Sequence, residues 1–586
     1  MSAQVHALKA PTPRAARQPD APRPAVAIHG QATHAARSAA DQMQADPAAR
    51  PTQVVPPVAQ HFAPAPFKVF TARDLDRIPQ LARLTPEQRF EMKVVAAVLP
   101  FRVNQYVIDE LIDWADVPRD PIFQLTFPQR GMLAPEHYDR IATLLENGAD
   151  KDELEHAVAE VRHALNPHPA DQMQMNMPLD EHGNRIDGLQ HKYRETVLFF
   201  PSQGQTCHAY CTFCFRWAQF VGDKDLRIAS SEARQLHDYL RSHPEVTDLL
   251  VTGGDPMVMK TRHLRDYLEP LLRPEFDHIQ TIRIGSKALT FWPHRFLGAE
   301  DADDLMHLLQ QLVEAGKHVA LMAHYNHWKE LETDAAQAAI RRIRATGVVI
   351  RAQGPLIAHI NDDPAAWARL WKTEVRLGLV PYYMFVERDT GARHYFEVPL
   401  ARAWEIYQQA IQQVSGLART ARGPSMSASP GKVEIQGVTE IAGEKVFVLR
   451  FIQGRNPDWV QRPFFAKFDA QATWLDQLVP PSARKSGSGR TNTKPSARKS
   501  SPAEAAVQRA PPPTRATPDV AAQPTADSRL AALLHGASPR RSFMTPARGA
   551  QHGAGPQRST RRRPAMFHVG APQGANAAAQ HAPPPT

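Results

Sequence analysis

The sequence predicts an α/β protein with a partial (β/α)6 barrel, flanked by two tails that lack a core. Three observations support this fold class. Proline, alanine and arginine are concentrated in residues 1–66 and 480–586. The segment between these tails contains almost all of the aromatic residues. From about residue 195, short apolar runs alternate with helical patterns, which is the signature of parallel βα units.

The two tails are predicted to be disordered. Their composition buries too little apolar surface to offset the entropy of ordering. The net charge of +9 divides into +3 in residues 1–66 and +13 in residues 480–586, leaving −7 in the middle. The basic C-terminal tail, with Arg561, Arg562 and Arg563 in a run, could touch nucleic acid or anionic lipid. We do not expect nucleic-acid binding, because no aromatic residues are interleaved for base stacking.

The middle of the chain divides into three predicted regions. Residues 67–190 are expected to be mostly helical, residues 191–416 to form the barrel, and residues 417–479 to add two short strands, "KVEIQG" and "KVFVLRFI". The six predicted barrel strands are "TVLFFP", "DLLVTG", "TIRIGS", "HVALMAH", "VVIRAQG" and "VPYYMFV". Active residues should lie just after these strands, at the C-terminal face.

All three cysteines of the chain, Cys207, Cys211 and Cys214, form a C-x3-C-x2-C motif directly after the first predicted strand. A [4Fe-4S] cluster needs thiolate ligands and usually takes four. Three ligands leave one iron open, and in radical S-adenosylmethionine (SAM) enzymes SAM chelates that iron. A three-thiolate zinc site is the alternative, but it needs a further ligand at short spacing, and His208 sits between two cysteines. The motif therefore predicts a [4Fe-4S] cluster and SAM.

The cellular setting is bounded by three features of the sequence. No run approaches the roughly 20 apolar residues of a membrane span. The N-terminus lacks the apolar region of a signal peptide. Three cysteines within eight residues do not make a disulfide framework. We therefore expect a cytoplasmic protein with no membrane contact.

A tight turn, Gly253-Gly254-Asp255-Pro256, follows the second predicted strand. By itself it would be an ordinary Gly-Pro turn. Because it lies one βα unit after the cysteines, we expect Gly253, Gly254 and Asp255 to help to bind SAM.

Eight motifs occur in the order typical of the lysine 2,3-aminomutase family, which the chain resembles from about residue 175 to 435. They are "PLDEHGNRIDGLQHKYRETVLFF", "CHAYCTFCFRWAQF", "TGGDPMVM", "TIRIGSKAL", "AHYNH", "VVIRAQGPLIAHIND", "VPYYMFVERD" and "SASPGKV". The resemblance implies an isomerase that uses SAM and pyridoxal 5′-phosphate (PLP) to move the α-amino group of an amino acid to C3. It also implies an electron donor such as flavodoxin or ferredoxin, and it leaves oligomerisation open.

The resemblance also implies residues that hold PLP. Lys432 matches the catalytic lysine that holds the PLP aldehyde, although only Gly431 precedes it where the family has a glycine-rich run. Lys192 and Tyr193 match the residues that bind the phosphate, and the family commonly has arginine at the first of these positions.

Further matches concern the substrate and SAM. Arg216 matches the catalytic-site arginine that clamps the substrate carboxylate. His324 and Gln353, each expected at a strand end, match positions that contact SAM. For Arg216 the alternative is a charge that tunes the cluster, and for His324 and Gln353 it is a satisfied buried polar group.

The substrate is where this chain departs from the family. Lysine-specific members hold the distal ammonium between two aspartates, and these positions fall on Arg388 and Ser425. A guanidinium repels an ammonium, so an acidic or neutral amino acid such as glutamate becomes a candidate beside lysine. Glu387 and Asp389 flank Arg388, so a register shift of one residue would restore a carboxylate.

Two other functions remain open from the sequence. One is a radical SAM enzyme without PLP that acts on another small molecule or a peptide. The other is a non-catalytic Fe-S protein whose basic tail binds nucleic acid.

Overall fold

An 11-stranded sheet forms the centre of the protein. A computed structural model describes residues 65–222 and 228–482. Except for residues 65, 66 and 480–482, the two predicted tails lie outside the described residues. None of the described helices is both long and apolar enough to span a membrane.

The strands are β1 Val69–Thr71, β2 Arg102–Asn104, β3 Leu189–Tyr193, β4 Thr196–Phe199, β5 Asp248–Val251, β6 Thr281–Ser286, β7 His318–His324, β8 Val349–Leu356, β9 Val380–Val386, β10 Arg422–Ala428, β11 Gly431–Ile441, β12 Glu444–Gly454 and β13 Pro463–Lys467. The α-helices are α1 Pro86–Val98, α2 Pro121–Thr126, α3 Pro135–Glu146, α4 Lys151–Ala164, α5 Gln172–Met175, α6 Ala233–Ser242, α7 Thr261–Leu268, α8 Ala288–Phe291, α9 Ala302–Glu314, α10 Asp334–Ala345, α11 Pro364–Arg376, α12 Arg393–Phe396 and α13 Leu400–Gln412.

Parallel strands make up most of the large sheet. Strands β4 to β10 run parallel in sequence order, and helices connect them. Antiparallel β3 pairs with β4 at one edge, and β11, β12 and β13 continue the sheet beyond β10. The α/β class and the six predicted strands are confirmed. Side chains from β5 to β12 line one cavity, so the sheet curves around it.

The barrel has one parallel strand more than the six that the sequence predicts. Strand β10 has the sequence "RGPSMSA", and it pairs in parallel with β9 and antiparallel with β11. Glycine, proline and serine have low strand propensity, so this segment looks like a turn. Strands β11 and β12 are also longer than predicted, because they form an extended hairpin.

The N-terminal region is mostly helical and packs against one end of the barrel. Its core includes Val95, Ile122 and Phe123, and it continues into Phe213 and Trp217 of the segment that carries the cysteines. This region therefore packs around the cysteine loop.

Candidate active site

A cavity of about 730 Å³ runs inside the curved sheet. At the C-terminal ends of the strands it is lined by the cysteines, Gly253, Gly254 and His324. Lys432 of β11 lines the same cavity. The structure therefore brings together the two groups on which the predicted chemistry depends, although more than 200 residues separate them in the chain.

The cysteine loop is fixed by backbone contacts with the N-terminal region. Tyr210 N donates to Arg102 O at 2.8 Å, and Thr212 N donates to Leu125 O at 2.9 Å. The buried Asn104 side chain donates to His208 O at 3.2 Å. These bonds hold the loop in place without using any cysteine sulfur.

The three thiols fit a cluster that the protein ligates through three positions. All three cysteines are free and line the cavity, and burial raises the pKa of the Cys214 thiol to about 11. A buried thiol forms a thiolate readily when a nearby positive charge compensates it, and bound iron would supply such a charge. His208 lies between two of them but does not line the cavity. Within the described ranges, no group of three or more His, Cys, Asp or Glu residues is arranged to hold a metal ion. A [4Fe-4S] cubane does not need its thiolates to converge on one ion, because each thiolate binds a different iron.

The GGDP turn packs directly on the cysteine loop, which explains its glycines. A Cβ atom on Gly254 would lie 2.5 Å from the backbone N and O of Thr206. Gly253 has a φ of +145°, and a Cβ atom there would meet the side chain of Gln205. The Asp255 carboxylate accepts hydrogen bonds from Lys287 N and from the Ser286 hydroxyl, so it ties this turn to the end of β6. Asp255 does not line the cavity, and burial raises the pKa of its carboxyl to about 6.

Lys432 is partly buried, and its amine lies beside an aromatic ring. Its Nζ lies 4.3 Å from the centroid of the Tyr383 ring. Burial, with smaller contributions from Arg283 and Arg422, lowers the pKa of Lys432 to about 7. A substantial fraction of this amine is therefore neutral at neutral pH, which is the form that attacks an aldehyde.

The predicted phosphate residues lie behind the cavity wall. Lys192 and Tyr193 are on β3, and neither lines the cavity. The Lys192 ammonium donates to Ala428 O at 2.6 Å, and burial lowers its pKa to about 7. Burial raises the pKa of Tyr193 to about 12.

Two arginines flank an aromatic ring near the cysteines. The Cζ atoms of Arg216 and Arg388 lie 4.9 and 5.3 Å from the centroid of the Phe215 ring, and both residues line the cavity. Nη1 of Arg216 and Nε of Arg388 are buried without a hydrogen-bond partner among the described residues. Such donors suit an anionic ligand.

Comparison with known proteins decides the family. The chain is 31% identical to a putative L-lysine 2,3-aminomutase from Aquifex aeolicus over 400 residues, which cover 68% of this chain and 93% of the relative. The chain belongs to the lysine 2,3-aminomutase family. Further members are L-lysine 2,3-aminomutases from Methanococcus maripaludis, at 22% identity over 70% of this chain and 87% of the relative, and from Bacillus subtilis, at 24% over 65% and 70%.

Two other comparisons add little. No family model matches the chain. A solved radical SAM methyltransferase from Sphaerobacter thermophilus is 13% identical and covers 49% of this chain and 92% of its own, with a TM-score of 0.29. This likeness is too weak to add to the assignment.

Membership of the aminomutase family makes this protein a radical SAM isomerase, and it implies a [4Fe-4S] cluster and SAM. The cysteine motif is consistent with that cluster. His324, the last residue of β7, lines the cavity and stacks on Phe213 with ring centroids 6.0 Å apart. Burial lowers its pKa to about 3, so the ring is neutral. Gln353 also lines the cavity, but it lies inside β8 rather than at the strand end, because β8 continues to Leu356.

The two predicted residues for the distal end of the substrate differ in position. Arg388 lines the cavity, whereas Ser425 is fully buried behind it with its hydroxyl unpartnered among the described residues. Glu387, next to Arg388, also lines the cavity, and burial raises the pKa of its carboxyl well above the usual value.

Sequence reasoning missed the arginines in the N-terminal half of the strands. Arg283, Arg351 and Arg422 all line the cavity. The alternation of side chains along a strand could have identified Arg351. It is two residues from Gln353 on β8, so both side chains face the cavity.

Proposed function

We propose that this protein is a radical SAM, PLP-dependent aminomutase that moves the α-amino group of an amino acid to C3. The observation that carries the proposal is the position of Lys432. Its amine, with a pKa lowered to about 7, lines the same cavity as the three cysteines. Capture of the PLP aldehyde requires the neutral amine, and this pKa leaves a substantial fraction of it neutral at neutral pH.

The positions of the residues in the cavity indicate the role that each would have. When bound, the cluster and SAM would supply a 5′-deoxyadenosyl radical for hydrogen transfer at C3, and PLP would supply the aldehyde carbon that carries the migrating nitrogen. Cys207, Cys211 and Cys214 would hold the cluster at the upper end of the cavity, and the neutral Lys432 amine would hold PLP lower down. The walls of the cavity would shield the reacting atoms from water and stray hydrogen donors.

Arg216 is proposed to bind the α-carboxylate of the substrate. Its guanidinium is buried, lies near Cys214, and keeps a donor without a partner among the described residues. Burial lowers its pKa to about 10, so it stays charged at neutral pH. This position would direct the carboxylate toward the cluster and the amino group toward Lys432.

The charge of the cavity favours a substrate whose side chain is neutral or acidic over lysine. Six lining side chains are cations besides the partly neutral Lys432, and two are acidic. Of the six cations, Lys287 pairs with the buried Glu330. One of the acids, Asp248, already pairs with Arg283. Glu387 is the remaining carboxyl and has Arg388 beside it. A distal ammonium would therefore enter a region of positive potential.

The test is anaerobic reconstitution of the full chain with iron, sulfide, PLP and SAM, followed by a screen of amino acids for β-amino products. We expect a product from a neutral or acidic amino acid and less from lysine. Lys432→Ala should abolish both the product and the absorbance of bound PLP while it keeps SAM cleavage. If no amino acid reacts and no PLP is retained, the protein is a radical SAM enzyme of another kind. Preferred reaction with lysine would refute the charge argument.

A further inference from the structure

Two arginines in the lower part of the cavity have no acidic partner among the described residues. We call this part the floor, and it is lined by Asp248, Arg283, His318, Arg351, Tyr382 and Arg422. Arg283 is bound by the Asp248 carboxylate through Nε, at 2.8 Å, and through Nη2. The side chains of Arg351 and Arg422 form no hydrogen bond or ion pair within residues 65–222 and 228–482.

Both unpaired guanidinium groups lie beside one tyrosine. Cζ of Arg351 is 5.3 Å from the centroid of the Tyr382 ring, and Cζ of Arg422 is 4.8 Å from it. Arg422 is also 4.4 Å from the centroid of the Tyr383 ring, next to which the Lys432 amine lies at 4.3 Å. Cations held together in a partly desolvated cavity repel one another, so this arrangement costs free energy unless an anion is bound.

We propose that Arg351 and Arg422 form an oxyanion site on the floor that binds a phosphate group. The guanidinium fork matches two phosphate oxygens, and both forks lie beside the Tyr382 ring. The site does not depend on the aminomutase reaction. Its two sources of phosphate are PLP held at Lys432, which rests on the proposed function, and free inorganic phosphate.

The position of the floor suits the phosphate of PLP better than Lys192 does. Arg422 and Lys432 lie beside the same Tyr383 ring, so one short cofactor can reach both. Lys192 is outside the cavity lining and its ammonium already donates to Ala428 O. His318 lines the floor and is exposed, so the floor lies close to solvent.

Binding to the reconstituted full chain tests the site, with wild type compared with Arg351→Gln and Arg422→Gln. Arg262→Gln is the matched control, since Arg262 is an exposed arginine on α7 away from the cavity. The probes are inorganic phosphate, pyridoxine 5′-phosphate, which cannot form an imine, PLP, and pyridoxal, which has no phosphate. Dissociation constants come from calorimetry in phosphate-free buffer, and thermal unfolding without ligand verifies that each variant is folded.

We expect Arg351→Gln and Arg422→Gln each to weaken the binding of the three phosphate-containing probes roughly tenfold or more, because each removes a charged hydrogen bond. Pyridoxal binding should be unaffected in Arg351→Gln, and the control variant should bind all four probes as the wild type does. Removing one of two repelling cations should not lower the midpoint of unfolding.

The outcomes separate the site from the proposed function. If phosphate binding is unchanged in Arg351→Gln and Arg422→Gln, the oxyanion site is refuted. If PLP binding requires Lys432 but is indifferent to both arginines, the site is refuted while the aminomutase proposal stands. If inorganic phosphate requires both arginines and PLP forms no adduct with Lys432, the site holds and the PLP part of the proposed function fails.

Discussion

The Lys432 amine is predicted to react with aldehydes at neutral pH. Burial, Arg283 and Arg422 lower its pKa from 10.5 to about 7. At pH 7.5 an amine with the ordinary pKa is about 0.1% neutral, whereas an amine with a pKa near 7 is mostly neutral. The reactive fraction of Lys432 should therefore exceed that of an ordinary lysine by roughly three orders of magnitude.

Competitive acetylation read by mass spectrometry measures this fraction without any cofactor. Labelling of Lys432 should rise through a midpoint near pH 7, and the exposed Lys260 serves as the internal reference. Arg422→Gln should move the midpoint to higher pH, because it removes a positive neighbour. A midpoint for Lys432 near ten in the wild-type protein would refute the reasoning.

The same pKa shift has a consequence for stability. Between about pH 7 and pH 10.5 the unfolded state holds a proton on Lys432 that the folded state lacks. The contribution of Lys432 to the free energy of unfolding should therefore rise with pH across this window, so the slope of this free energy against pH should be more positive in the wild type than in Lys432→Met. Urea unfolding at several pH values measures the difference. Identical slopes for the two proteins would contradict the shift.

Three further substitutions have defined outcomes. Cys214→Ser should lose the iron content and the SAM cleavage of the reconstituted protein, because a cubane with too few thiolates is not retained. Gly254→Ala should destabilise the protein by about 1–3 kcal/mol in urea unfolding, since its Cβ would meet the Thr206 backbone at 2.5 Å. The Lys287 ammonium is buried and lies 2.6 Å from the Glu330 carboxylate. Glu330→Gln should lower the free energy of unfolding by about 3–5 kcal/mol, because it leaves this ammonium without a counter-charge.

Two control substitutions test whether these losses of stability come from the specific contacts that are removed. Gly416→Ala should be close to neutral, because no atom lies within 4 Å of the added Cβ. Glu405→Gln breaks an exposed pair with Arg402 and should cost less than about 1 kcal/mol. If Glu330→Gln costs no more than Glu405→Gln, the buried pair is not what holds this part of the barrel.

Much of the barrel could be predicted because its strands are short apolar runs between helical patterns. Strand β10 could not, because Gly423, Pro424 and its serines are residues of turns. Its strand conformation depends on pairing with β9 and β11, and such long-range pairing leaves no local trace in the sequence.

The parts of the candidate site that follow from the spacing of residues in the sequence could be predicted. The parts that depend on which face of a strand a residue occupies could not. The cysteines and the GGDP turn stand at recognisable intervals. Arg351 and Arg422 look like ordinary polar positions until curvature of the sheet turns them toward one ring, Tyr382. In the same way, the sequence could not show that Lys192 lies outside the lining of the cavity.

The hairpin that carries Lys432 also protects the sheet. Strand β10 covers the edge of β9, and β11 to β13 continue outward from it. A chain that ended before residue 422 would leave the backbone of β9 unpaired, and an exposed edge strand recruits other chains. Truncation before residue 422 would thus remove the Lys432 amine and expose a strand edge at the same time, so aggregation is expected to accompany loss of the amine.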